Sequence, residues 1–376
     1  MKLAENTGLI RLAEDHVRLP TDKGANAEAK VFSLVAGMAA GGDCIDDMAL
    51  LRHGAMGKII DRPYAPSTLG SFLRTFTFGH VRQLDAVASR FLINLAADTP
   101  LLGSPDDTDT VFVDIDDTII EVHGHKKQGA SFGYTKVRGL NALLGTITST
   151  GFAPVIGAVR LRKGKTGSAK GAKRLVTDLL ATIRRTHLAG RAVVVRCDSA
   201  FYSAELVAAC LKAGASVSIT VRMDPAIKRA ITRIDDGAWE GIKYPKAIFD
   251  EKSNTWVSSA HVAEIPYTAF TSKPTAKQIT GRLVVRRIPE LNPKKQAGQD
   301  PLFDLWRYHA FFTTTAPESF DTVAADKTHR AHAVIENVHA DLKNSALAHM
   351  PSGKFTANAA WTVLATIAFN LTRAAA

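Results

Sequence analysis

The sequence predicts an α/β chain: a mixed sheet flanked by helices, with a helical N-terminal domain before the sheet and a β-rich insertion within it. Three observations predict it. Residues 27 to about 100 carry helical periodicity interrupted by Gly and Pro, whereas residues 110 to 221 alternate short apolar runs with helix-length segments. Residues 222 to 316 then hold several β-like runs in succession. At 376 residues the chain exceeds the usual size of one core, so a main domain with one or two smaller units is expected.

In the first region AEAKVFSLVAGMAAGG, DCIDDMALLRHGAMGKII and GHVRQLDAVASRFLINLAAD read as helices. Between them, APSTLGSFLRTF offers Ser67 or Thr68 as the cap of a short helix bearing Arg74, a size that suits a helix-turn-helix or a plain bundle. The turn-rich TPLLGSPDDTD marks a boundary. A strand at 110–117 follows, then a Gly-rich turn, a second strand around 132–138 and a third in FAPVIGAVRL, together a meander. The helix AKGAKRLVTDLLATIRRTHL leads into RAVVVRCDS, whose run AVVV is of the kind found at the centre of parallel sheets. The helix SAELVAACLKAG then precedes the strand ASVSITV. This β-β-β-α-β-α-β order is the core order of the ribonuclease-H-like fold, although other α/β folds also allow it. Next come the β-like runs AIFDE, WVSSAHVAEI, GRLVVRRI and LWRYHAFFTTT, and from about 326 a final helical region. The predicted boundaries are 1–105, 106–221, 222–316 and 317–376.

Lys and Arg outnumber Asp and Glu by 47 to 36, which favours a polyanionic partner. The excess is concentrated: VRLRKGKTGSAKGAKRL and IRRTHLAGR carry ten Lys/Arg between 160 and 191 against one acid, Asp178. Such a patch is either a solvated helix face beside a loop or a surface that binds phosphates without reading sequence. Three scattered cysteines, Cys44, Cys197 and Cys210, exclude a disulfide framework and a cysteine zinc site. No signal-peptide core stands at the N-terminus, and the most apolar run, AWTVLATIAFNL, is too short to span a bilayer. A soluble cytoplasmic protein is expected.

The stretch VFVDIDDTII, residues 111–120, sets Asp114, Asp116 and Asp117 at the end of an apolar strand, where carboxylates need a cationic partner. Strand alternation puts Asp114 and Asp116 on one face and Asp117 on the other. Two chemistries fit. D-I-D-D-T matches the D-x-D-x-T signature of haloacid-dehalogenase-like phosphatases, with Asp114 as nucleophile and Asp116 as general acid; that reading demands a doubly wound parallel sheet and a late acidic strand end. The segment after it, GHKKQGASFGYTKV, looks like a hairpin instead. The other reading takes Asp116 with Thr118 as the first acid of a metal-binding triad, followed by Asp198 just past the strand VVVRC and by Glu336 on a helix. Asp198 competes as a helix N-cap, but Ser203 stands nearer that helix start.

On one continuous helix His329, His332, Glu336 and Lys343 would share roughly one face. His332, Glu336 and His339 also have zinc-ligand spacing. With VFVDIDDT, RCDSAFYS, IENVHADLK and FTANAAWTVLATIAFNL in hand, the chain resembles insertion-sequence DDE transposases of the group with a β-rich insertion between the second Asp and the Glu. The resemblance spans most of residues 30–373. In that group the Glu helix reads Tyr, two residues, Arg, three residues, Glu, six residues, Lys. Glu336 and Lys343 keep their places here, while His329 and His332 replace the Tyr and Arg.

What the resemblance implies is a transposase that cuts DNA at transposon ends and transfers the freed 3′-OH to target DNA, with Asp116, Asp198 and Glu336 holding two Mg²⁺ or Mn²⁺ ions per active site. It implies double-stranded DNA as partner, through terminal inverted repeats and target, and a homodimer acting on paired ends. The N-terminal helical domain would bind DNA, with Arg74 among its contacts. Lys343, Arg330 and His332, with Arg160, Arg162, Lys163, Lys165, Lys170, Lys173 and Arg174, would contact DNA phosphates. One of the insertion tryptophans, Trp239, Trp256 or Trp306, would pack in the core or stack on an unpaired base. The alternatives are the phosphatase and a catalytically inactive DNA-binding relative, the latter suggested by the two histidines.

Overall fold

The computed structural model describes residues 1–58, 60, 63–133, 135–250, 255–289 and 306–376, without the side chains of 245–248, 250 and 255–257. The chain forms two compact units, Met1–Val193 with Ala333–Ala376, and Val194–His332. Among the described residues no helix is long and apolar enough to cross a membrane.

The first unit opens with helices α1 (Lys2–Asn6), α2 (Leu9–His16), α3 (Ala27–Ala39), α4 (Pro66–Thr75) and α5 (Phe78–Asp98). The segment DCIDDMALLRHGAMGKII, expected as one helix, forms two 3-10 stretches, Asp46–Arg52 and Gly54–Lys58. His53 between them is extended, and Gly54, which opens the second stretch, stands at a positive φ. Neither Ser67 nor Thr68 caps α4, because Pro66 takes its first turn and Ala65 precedes it without a side-chain cap. Thr77 and His80 instead form a capping box on α5.

Strands β1 (Val111–Glu121), β2 (Ser131–Phe132), β3 (Arg138–Thr148) and β4 (Val155–Lys163) then build an antiparallel sheet in which β3 pairs with β1 on one edge and with β2 and β4 on the other. Its second major strand is therefore β3 and not the segment 132–138. Helix α6 (Ala172–Ile183) packs on β3 and β4. A Cβ at Gly164 would fall 2.1 Å from the Gly139 carbonyl, so only glycine fits where β4 ends.

Two helices from the far end of the chain complete this unit: α10 (Val334–Lys343), against β1, and α11 (Phe355–Ala375), against α3, α4, α5 and β4. Helix α11 is apolar nearly all round, as a helix enclosed by neighbours must be. Its Trp361 is fully buried and donates Nε1–H to the Ala346 carbonyl at 2.5 Å. Asn370 meets the bulge that shifts the β3–β4 register, accepting from the Ile156 N–H at 2.9 Å and donating to its carbonyl at 2.8 Å.

The second unit contains β5 (Val193–Cys197), α7 (Ala204–Lys212), β6 (Ser216–Thr220), α8 (Pro225–Ile231), β7 (Glu240–Asp250), β8 (Thr255–Ala269), β9 (Ile279–Pro289), β10 (Trp306–Thr313) and α9 (Thr322–Arg330). Its strands run β5-β6-β10-β9-β8-β7 in one mixed sheet: β5 and β6 are parallel and the remaining pairs antiparallel. Helix α7 packs on β6, and α9 lies on β8 and β9. The predicted mixed sheet flanked by helices, carrying a β-rich insertion, is thus the architecture observed.

Candidate active site

Strand β1 sorts its aspartates by alternation. Asp117 lies on one face and is locked there: Arg162 Nη2 approaches its carboxylate to 2.6 Å, Asn141 donates to the same oxygen, and Arg162 and Asp117 are 9% and 3% exposed. Arg162 also donates to Asn141 Oδ1 and to the carbonyls of Ser168 and Lys170, tying down the loop after β4. Arg160 pairs with Asp85 at 3.1 Å and Asp178 at 2.7 Å. These two arginines, expected on the DNA, are held inside the fold by carboxylates. Lys163, Lys165, Lys170, Lys173 and Arg174 are exposed, Arg174 with one contact to Asp178.

On the opposite face Asp114 is fully buried, whereas the Asp116 side chain is 24% exposed. Asp116 Oδ1 accepts the Asp117 N–H at 2.7 Å, and Oδ2 lies 3.4 Å from His339 Nε2 on α10. Glu336, His339 and Lys343 follow at spacings of three and four, so one face of α10 offers a carboxylate, an imidazole and an amine. Glu336 is exposed in the first turn and His339 is buried. Partial burial pulls the Lys343 amine pKa down, opposed by the charge of Asp116. Beyond Asp116, Thr118, Glu121, Lys127, Lys343 and Met350 line part of a pocket of about 520 Å³.

In the second unit, Asp198 is exposed just past the buried end of β5 and accepts the Ala200 N–H at 2.9 Å, capping the 3-10 turn Ser199–Phe201. The cap of α7 is Ser203. The single helix face expected for His329, His332, Glu336 and Lys343 does not form, because a 3-10 turn, Ala331–Ala333, separates α9 from α10. Arg196 supplies the physical reason: its guanidinium takes the Thr328 carbonyl at 2.6 Å, an acceptor that a continuing helix would use four residues on.

His329 is structural. Its nitrogens lie 2.8 Å from Ser218 Oγ and 3.0 Å from Thr220 Oγ1, and its ring stacks on Phe311 at 4.0 Å. Burial, helped by the charges of His332, Arg286 and Arg196, pulls its pKa down to about 3. The unfolded chain titrates this group near 6.5, so between about 3 and 6.5 the unfolded state binds the extra proton. Its stabilising contribution is complete above pH 6.5 and lost as pH falls, by about 1.4 kcal/mol per unit. Urea unfolding is expected to show a loss of about 2 kcal/mol between pH 7 and pH 5 from this group, and a flatter dependence in His329→Gln.

Arg330 pairs with Asp326 at 2.8 Å and lies over the Tyr244 ring, and His332 is half-buried. Trp239 and Trp306 sandwich the Arg287 guanidinium at 4.2 and 4.4 Å, a cation–π stack within the insertion. The side chain of Trp256 lies outside the described residues. In the N-terminal helices Arg74 is exposed, with one bond to Ser71 Oγ. Among the described residues, the one group of three His, Cys, Asp or Glu donors close enough to share an ion is Asp43, Cys44 and Asp47. There Asp47 accepts the N–H groups of Asp43 and Cys44, as a turn-capping acid does.

Among solved structures the chain is similar to a piggyBac transposase synaptic complex with hairpin DNA, determined by cryo-EM, at 10% identity and a TM-score of 0.46. That alignment covers 93% of this chain and 66% of the other, so the chain spans just under two thirds of its length. No curated protein matches. The phosphatase reading gains nothing here, since its nucleophile Asp114 is fully buried and β1 leads into an antiparallel partner. A family model described as transposase DDE domain group 1 matches residues 2–375, and the chain belongs to that family, whose members use divalent metal ions.

Proposed function

We propose that this chain is a DNA transposase that cuts DNA at the ends of its element in a metal-dependent reaction and joins the freed 3′ ends to target DNA. The observation that carries the reading is the Asp116 corner: β1 presents one partly exposed aspartate to the α10 face bearing Glu336 and Lys343. Asp116, Asp198 and Glu336 are assigned as the catalytic carboxylates, holding two Mg²⁺ or Mn²⁺ ions. The donors fit, because hard divalent cations take carboxylate oxygens and each of the three side chains is at least partly accessible. Such ions, when bound, polarise the phosphodiester and lower the pKa of the attacking water.

The rest falls to the chain's own residues. Lys343, beside Asp116, would hold a phosphate oxygen near the scissile bond. Lys163, Lys165, Lys170, Lys173 and Arg174 would follow the backbone of double-stranded DNA, terminal repeats and target alike. The N-terminal helices, Arg74 included, would add contacts to the element's end, and two copies would act on paired ends. No phosphate is given to Arg160, Arg162 or Arg330, each bound to a carboxylate and no more than 28% exposed. Replacing Lys163, Lys165, Lys170 and Lys173 together by Gln is expected to flatten the salt dependence of DNA binding by about 3–4 in log–log slope. Binding measured across a salt series checks this.

The deciding experiment incubates the full chain with DNA carrying the element's own ends and Mg²⁺. Strand cuts at those ends support the reading. End binding without cutting marks an inactive relative, and hydrolysis of phosphate monoesters without DNA cleavage would return the choice to the phosphatase.

A further inference from the structure

We infer that His339 is a metal ligand beside Asp116, giving that position a mixed nitrogen and oxygen donor set that favours Mn²⁺ over Mg²⁺. This rests on the proposed assignment of Asp116 as a metal-binding carboxylate.

His329 and His339 provide an internal comparison. His329 satisfies both ring nitrogens with hydroxyls, as a buried structural histidine does. His339 is 8% exposed, yet neither Nδ1 nor Nε2 has a hydrogen-bond partner among the described residues. Leaving a buried polar group unmet costs about 1–3 kcal/mol. Asp116 Oδ2 lies 3.4 Å from Nε2, beyond a normal hydrogen bond. That spacing has another meaning: two donors each about 2.1 Å from one ion, at angles of 90–110°, are about 3.0–3.4 Å apart. The imidazole is thus unsatisfied as a hydrogen-bonding group and well spaced as a co-ligand.

The position of His339 in the helix agrees. It stands three residues after Glu336 and four before Lys343, on the same face of α10, and α10 packs on β1. An imidazole nitrogen is a softer donor than a carboxylate or water, so adding one shifts a site along the divalent series away from Mg²⁺ and toward Mn²⁺ and later metals. The zinc-type grouping of His332, Glu336 and His339 suggested by spacing is replaced by one in which His339 works with Asp116.

The test uses the full chain with Mn²⁺ alone, without DNA, followed by electron paramagnetic resonance. Wild type is expected to bind Mn²⁺ and to show electron spin-echo modulation from a coupled ¹⁴N nucleus. His339→Gln is expected to lose that modulation and to bind Mn²⁺ about tenfold more weakly, with Mg²⁺ affinity little changed, so that Mg²⁺ displaces Mn²⁺ about tenfold more effectively. His339→Asn serves as the second variant, and circular dichroism verifies that both are folded. Asp116→Asn is the control for the site itself. If Asp116→Asn loses Mn²⁺ while His339→Gln keeps both affinity and modulation, the inference fails and the carboxylate assignment stands. If wild type binds no Mn²⁺, or Asp116→Asn binds it unchanged, the carboxylate assignment falls and the inference with it.

Discussion

Asp116→Asn, Asp198→Asn and Glu336→Gln are each expected to reduce Mg²⁺-dependent strand cleavage by at least about 10³-fold, equivalent to about 4 kcal/mol in the barrier, while leaving binding to the element's ends nearly intact. The three amides preserve shape and hydrogen bonding but remove the charge that a divalent cation needs. Two structural facts sharpen the comparison. Asp116 is partly exposed and Asp198 exposed, so neither amide leaves a buried charge behind. Asp114, on the same face of β1, is buried and its replacement is expected to act through folding. Cleavage and end-binding assays run side by side on the folded variants check this. Full cleavage by any one of the three would remove that residue from the assignment.

The largest expected effect on stability lies on the other face of the strand. Arg162→Ala is expected to destabilise the protein by about 3–5 kcal/mol, because it strands the Asp117 carboxylate and the Asn141 amide in a buried site. Asp117→Ala is expected to cost a similar amount by leaving the guanidinium unpaired. Replacing both together, Arg162→Met with Asp117→Leu, is expected to recover most of the loss, since an apolar pair of similar volume carries no desolvation penalty. Urea denaturation of wild type and the three variants checks this. The expected outcome separates two neighbouring acids: Asp117 supports the fold, whereas Asp116 carries the proposed chemistry.

How far the sequence can be read depends on whether a residue's neighbours are local. Strands β1 and β5 were legible because apolar runs end in polar residues that must reach solvent or a partner. Helices α6 and α7 declared themselves by periodicity, and Ser203 by its place before a helix. Strand β3 was missed for the reason that makes it central: Gly139–Ile147 is buried throughout, so the alternation that betrays a strand is absent. In the segment chosen in its place, Phe132 and Val137 are 66% and 36% exposed. The fates of Arg160 and Arg162 depend on Asp85, Asp178 and Asp117, partners that the spacing of a basic run does not reveal. The break between α9 and α10 was equally hidden, since it arises from Arg196, more than a hundred residues earlier, taking a helix carbonyl. At the candidate site, Glu336 and Lys343 were legible from spacing, whereas the pairing of His339 with Asp116 required the packing of α10 on β1.

The bond between Asn370 and the β4 bulge has a consequence for how the protein is made. A ribosome emits Val194–His332 whole, so that unit can fold while synthesis continues. The unit begun at Met1 must wait, its β4 bulge unmet and its largest buried aromatic missing, until Trp361 and Asn370 emerge. Order of folding is therefore expected to reverse order of translation, and an interrupted message would yield a nascent chain whose Asp116 strand lacks α10. A truncated product could not assemble the corner where the chemistry is assigned.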